Sequence, residues 1–112
     1  MDNIKDDNYY VRQMSNDIRF IIEHMKGINY KDFSVDYLLQ DSMMFRMIQI
    51  SENANKLTEE YKSKREDIPW TSIYGLRNRI VHDYGNTDLR IVYETLTEDI
   101  PELLKNIGED NE

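Results

Sequence analysis

Apolar residues recur along this chain at intervals of three and four, and the period-two alternation of a strand appears nowhere. Over residues 7–26 the series Tyr10, Met14, Ile18, Ile21, Met25 and Ile28 lays one buried stripe along a first helix. Gly27 and Asn29 weaken that helix, and Tyr30 to Phe33 read as a short connection. Ser34 is a suitable N-cap for a second helix over 35–61, with Asp36 in its first turn at the positive end of the dipole. Its stripe is Leu39, Met43, Met47, Ile50, Ala54, Leu57 and Tyr61. Lys62 to Asp67 is charged, has no apolar anchor and reads as an exposed link.

A third helix is expected over 69–84, because Pro69 suits a first helical turn and Gly85 suits a helix end. Ile73, Leu76 and Ile80 share its core side. Asn86, Thr87 and Asp88 then offer N-cap chemistry for a last helix carrying Leu89, Val92, Leu96, Ile100, Leu103 and Ile107. Pro101 cannot donate its N–H, so a kink near 98–101 or a fresh helical start is expected. The pattern therefore predicts an all-α antiparallel four-helix bundle with a kinked or split last helix, a single domain over 1–112 with a polar tail from about 108. One feature exceeds the needs of a bundle. Met44 and Ile48, continuing to Ser51, form a second apolar edge on the second helix, which suits either ordinary core or a dimer or partner interface.

Composition narrows the function classes. There are no cysteines, so no disulfide framework and no thiolate metal site. The acidic start, Met1 to Asp7, lacks the pattern of a signal peptide, and no apolar run approaches the ~18 residues of a membrane span. A cytoplasmic protein with no membrane contact is the expectation. The net charge of −8 argues against a general coat for nucleic acid, and no DNA binding is expected. Charge is nevertheless uneven. Residues 62–90 carry six basic and four acidic side chains, a local +2 against −10 for the remainder. Contact with a polyanion would be local to the third helix, and the acidic remainder could serve a basic partner protein.

The chemistry-bearing residues lie on that third helix. Asn78 and His82 are four apart and share a polar flank. Arg77 has Ile73 and Val81 as one-turn neighbours, so its stem starts beside the apolar stripe, and its guanidinium needs a carboxylate, a phosphate or another subunit. The plainer reading is structural: Arg77 pairs with Glu52 on the second helix, and His82 is a cation placed favourably near a helix end. His24 has no Cys, His or carboxylate at ligand spacing and reads as a surface histidine, and no metal site or cofactor is expected.

The block Gly75-Leu76-Arg77-Asn78-Arg79-Ile80-Val81-His82-Asp83-Tyr84 resembles the HepT toxins, small HEPN-domain proteins with an Arg-x4-His-x-Tyr motif. The Ile68-Pro69-Trp70 lead-in, the run from Asp88 to Val92, and Ser51-Glu52-Asn53-Ala54 extend the likeness over nearly the whole chain. The resemblance implies an RNA endonuclease of a toxin–antitoxin pair, working as a homodimer without metal. Arg77, Asn78 and His82 would be its catalytic residues. Arginine grips phosphate oxygens with its planar fork, and histidine moves protons near neutrality. One histidine cannot easily be acid and base at once, so two facing copies would complete the site. The resemblance further implies that an MntA-like nucleotidyltransferase antitoxin places AMP on Tyr84, putting phosphate into the Arg77 and His82 region. The alternative is a non-catalytic helical partner of such a nucleotidyltransferase, which the acidic surface favours.

Overall fold

The computed structural model describes residues 6–83 and 88–107, with Asp83 by its backbone alone. The chain forms α1 (Asp7–Met25), α2 (Tyr30–Val35), α3 (Tyr37–Asn55), α4 (Glu59–Ser63), α5 (Trp70–Asp83), α6 (Leu89–Glu94), a π-helical turn (Thr95–Asp99) and α7 (Ile100–Ile107). No strand occurs among the described residues. The central layer is α3, which packs on α1 along one side and on α5 along the other, while α7 closes against α1. The expected all-α bundle with a split last helix is what forms.

Short polar side chains start the helices. Asp6 accepts the Tyr9 N–H at 3.0 Å to start α1, and Asn29 accepts that of Asp32 at 2.8 Å to start α2. Asp88 accepts the N–H groups of Arg90 and Ile91 to start α6. Met14, Ile18 and Ile21 of α1, Met43, Met47 and Ile50 of α3, and Leu96 and Ile107 are fully buried. An ion pair joins α1 to α3 at the edge of the core, with Asp17 buried and Arg46 partly exposed. Arg46 donates to Asp17 at 2.8 Å while its guanidinium lies 3.8 Å over the Phe20 ring. Burial pushes the Asp17 carboxyl above its usual range, against the opposing pull of Arg46.

Four expectations are corrected. Residues 30–35 form a helix rather than a connection, because Asn29 caps it and Phe33 buries completely. Ser34 therefore lies inside a helix, its hydroxyl donating to the Lys31 carbonyl at 2.7 Å, and Asp36 caps α3 by accepting the Leu39 N–H. The helix expected to reach residue 61 ends at Asn55. Thr58 starts α4, and its own N–H and hydroxyl both donate to the Asp7 carboxylate, at 2.9 and 2.7 Å. That clasp stabilises the corner, while Leu57 stays buried across it. Finally, Lys62 is not exposed: its side chain retains 12% of its accessibility, packed against α5.

The π turn has a local cause. Pro101 has no N–H for the Thr97 carbonyl, so an unbroken α-helical ladder is impossible there. The backbone widens by one residue instead, the Ile100 N–H reaching the Thr95 carbonyl. The Thr95 and Thr97 hydroxyls donate to the carbonyls of Ile91 and Tyr93, four residues back.

Candidate functional site

Helix α5 owes its placement to its apolar side. Ile73, Leu76 and Ile80 are buried, which fixes the direction in which every other side chain of the helix leaves the bundle. At about 100° per residue, Asn78 and His82 depart nearly opposite the core, whereas Arg77 leaves about 140° around from His82, toward α3. Asn78 and His82 are exposed, and their side chains make no hydrogen bond to another described residue. Within one chain the structure thus gathers Asn78 and His82 on one face and sets Arg77 on another.

Arg77 has the partner that the plainer reading named. Its Nε lies 3.1 Å from Glu52 Oε2, with both side chains 45% exposed. One residue earlier on α3, the buried Ser51 donates its hydroxyl to the Tyr74 carbonyl at 3.3 Å. Lys62 of α4 reaches the Tyr74 hydroxyl at 2.6 Å and lies 3.6 Å from Glu59. Burial draws the Lys62 ammonium down, but the Tyr74 hydroxyl and the Glu59 carboxylate outweigh it, and the net shift is upward. Local spacing did not single out this role of Lys62, because its partner stands twelve residues away on another helix.

Arg79, on the other flank, folds back over Gly75. A Cβ at Gly75 would stand 3.3 Å from Arg79 Nη1, so the glycine leaves room for that guanidinium. A hollow of about 380 Å³ lies on this flank, between Ile73, Leu76 and Arg79 and the Ile100–Leu103 turn. It is lined by none of Arg77, Asn78 and His82. Those three residues occupy open surface, an arrangement that suits a polymer backbone better than an enclosed small molecule.

Beside Arg77 the surface turns apolar. Leu38 and Phe45, seven residues apart on α3, are 82% and 55% exposed, and Val81 of α5 is exposed beside Phe45. Phe45, Ile48 and Val81 line a shallow groove between α3 and α5. The same heptad spacing leads from Phe45 to Glu52, so the ion pair lies at the rim of this patch. Met44, expected on this edge, is covered within the chain itself, and Ile48 is half-buried.

His24 is exposed as expected, with Nδ1 2.9 Å from the Phe20 carbonyl and its ring stacked on Phe20. Among the described residues no cluster of His, Cys, Asp or Glu could hold a metal, and no helix is long and apolar enough to cross a membrane. Tyr84 and Gly85 lie outside the described residues.

A family model described as "Ribonuclease HepT-like" matches residues 14–109. A protein provisionally named an RNase from Caldanaerobacter subterraneus subsp. tengcongensis is 33% identical over 100 residues, covering 89% of each chain. A protein provisionally named ribonuclease HepT from Thermococcus cleftensis is 28% identical over 94 residues, covering 84% of this chain and 86% of the relative. A third, provisionally named an RNase from Methanocaldococcus jannaschii, is 25% identical over 99 residues and 88% of each chain. No solved structure gives a significant match.

Proposed function

Because the chain belongs to the ribonuclease HepT-like family, we propose that it is a metal-independent RNA endonuclease, the toxin of a HEPN/nucleotidyltransferase toxin–antitoxin pair. The substrate's own 2′-hydroxyl is the nucleophile. It loses its proton to one group as the 2′-O–P bond forms, and the 5′-oxygen gains a proton from another as the P–O5′ bond breaks. The products are a 2′,3′-cyclic phosphate and a 5′-hydroxyl. His82 moves protons, Arg77 holds the phosphate oxygens while charge builds on them, and Asn78, one turn from His82, orients the imidazole or donates to the phosphate.

The observation that carries this reading is the disposition of α5. Asn78 and His82 leave its solvent face and Arg77 its α3 flank, beside exposed Phe45 and Val81. One copy offers one histidine, pointing away from its arginine. Two copies joined through the Leu38, Phe45 and Val81 patch would bring two sets together, supplying separate acid and base. The homodimer is therefore part of the proposal.

Control is assigned to Tyr84 by resemblance. An MntA-like nucleotidyltransferase would transfer AMP from ATP to its hydroxyl with release of pyrophosphate. The added phosphate would lie two residues from His82 and compete with the RNA backbone for the cationic groups.

A second reading has support of its own. The Arg77–Glu52 pair and the net charge of −8 also fit a non-catalytic partner of a nucleotidyltransferase. Cleavage assays in chelator separate the two. On the nuclease reading, Arg77→Ala and His82→Ala each lower cleavage at least a hundredfold while the helical circular dichroism is retained, and the wild-type products carry cyclic phosphate ends. Full activity in His82→Ala, or strict dependence on a divalent metal, would refute it.

A further inference from the structure

Arg77 leaves α5 beside the bundle core, where a flexible side chain of four rotatable bonds would otherwise sample many directions. On α5 itself no acidic residue stands one turn away, the neighbours being Ile73, Tyr74, Ile80 and Val81. Across the helix boundary, Glu52 approaches Arg77 Nε at 3.1 Å. Its neighbour Ser51, fully buried, grips α5 at the Tyr74 carbonyl, one turn before Arg77. Two consecutive residues of α3 thus fasten α5 at two points one turn apart, and the carboxylate meets the guanidinium on a firmly seated frame.

We propose that Glu52 is a positioning residue for the ribonuclease site: it holds the Arg77 guanidinium by the Nε edge so that the terminal nitrogens face the incoming phosphate. The proposal rests on the reading of Arg77 as the phosphate-binding group. A guanidinium recognises phosphate through a planar fork, so the direction of its plane decides whether two oxygens can be gripped together. A small displacement of such a group lowers turnover far more than it lowers affinity, because alignment matters most in the transition state. Charge acts in the opposite sense on ground-state binding. The Glu52 carboxylate offsets the Arg77 charge and repels an approaching RNA backbone, so its removal strengthens RNA binding while loosening the guanidinium. An ion pair with both side chains about half-exposed contributes little to folding, which leaves the effect visible in kinetics rather than in melting temperature.

The kinetic signature is distinctive. Glu52→Ala should lower kcat by about ten- to a hundredfold, with RNA affinity unchanged or tighter and the melting temperature close to that of the parent. Glu52→Gln keeps an oxygen that can accept from Nε, so it should restore most of the lost kcat. Single-turnover cleavage, RNA binding by fluorescence anisotropy and thermal melts read the three quantities, with Arg77→Ala assayed beside them. If Arg77→Ala is inactive while both Glu52 variants turn over at the parent rate or faster, Glu52 competes with RNA for Arg77 and the positioning role is overturned. If Arg77→Ala itself cleaves normally, the reading of the site fails first and the proposal with it. A Glu52→Ala chain that does not fold leaves Glu52→Gln and Glu52→Leu to decide: near-parental kcat in Gln with a tenth of it or less in Leu agrees with the proposal, and equal kcat in the two overturns it.

Discussion

Replacing Phe45 with serine should break the dimer while weakening the protomer far less. An aromatic side chain can bury about 150–250 Å², and Phe45 is 55% exposed in the single chain. Roughly 100 Å² therefore remains for a partner to cover, worth about 2 kcal/mol at ~25 cal/mol per Å² with a reduction for incomplete contact. In a two-fold dimer the same residue appears on both sides, so the loss doubles to about 4 kcal/mol, or roughly a thousandfold in the dimer dissociation constant. Folding of the protomer should weaken by about 1–2 kcal/mol, because a little under half of Phe45 is already covered within the single chain. Sedimentation equilibrium across a concentration series measures the first quantity, and thermal melts measure the second. Cleavage by Phe45→Ser should fall at low protein concentration and recover as concentration rises, since a composite site reforms by mass action. A dimer constant within threefold of the parent, or a parent that is monomeric at tens of micromolar, would refute the placement of the interface on the Leu38, Phe45 and Val81 patch.

Two other expectations concern control and stability. Tyr84→Phe should remain an active nuclease and carry no AMP after co-expression with its nucleotidyltransferase. Mass spectrometry that finds AMP on another residue would reassign the acceptor. Asp17 binds its proton more tightly in the folded chain than in the unfolded one, because burial lifts its carboxyl above the usual range. The folded state then holds more protons from about pH 4 upward, so this residue's contribution to stability falls as pH rises through that window. In urea titrations, Asp17→Asn should gain stability relative to the parent as pH rises, and a gap that moves the other way would contradict the assignment.

What the residues announced and what they concealed divide along a physical line. Stripes such as Met14–Ile18–Ile21 and Met43–Met47–Ile50 were legible because a helix repeats every three to four residues and the core reads the same repeat. The end of α3 was not, since Leu57 and Tyr61 keep that rhythm straight through the corner at Thr58. What stabilises the corner is a contact with Asp7, fifty-one residues earlier, which no local pattern encodes. The helix over 30–35 is too short for periodicity to register, and Ser34 and Asp36 offer equally plausible caps two residues apart. Pro101 announced a disturbance, though not its form as a widened turn. At the site, spacing placed Asn78 with His82 and flagged Glu52 as a partner for Arg77. It could not reveal that Ser51 and Glu52 hold successive turns of α5, because that depends on the register of two packed helices.

The Asp7–Thr58 clasp makes the front of α1 a working part of the opposite side of the molecule. Asp7 holds Thr58, Thr58 starts α4, and α4 carries Lys62 against the Tyr74 hydroxyl, one turn from Arg77. Shortening the chain past Asp7 would accordingly unfasten the wall behind the arginine rather than trim a loose end. The residue at which an engineered truncation starts thus decides how α4 and its Lys62 seat against α5.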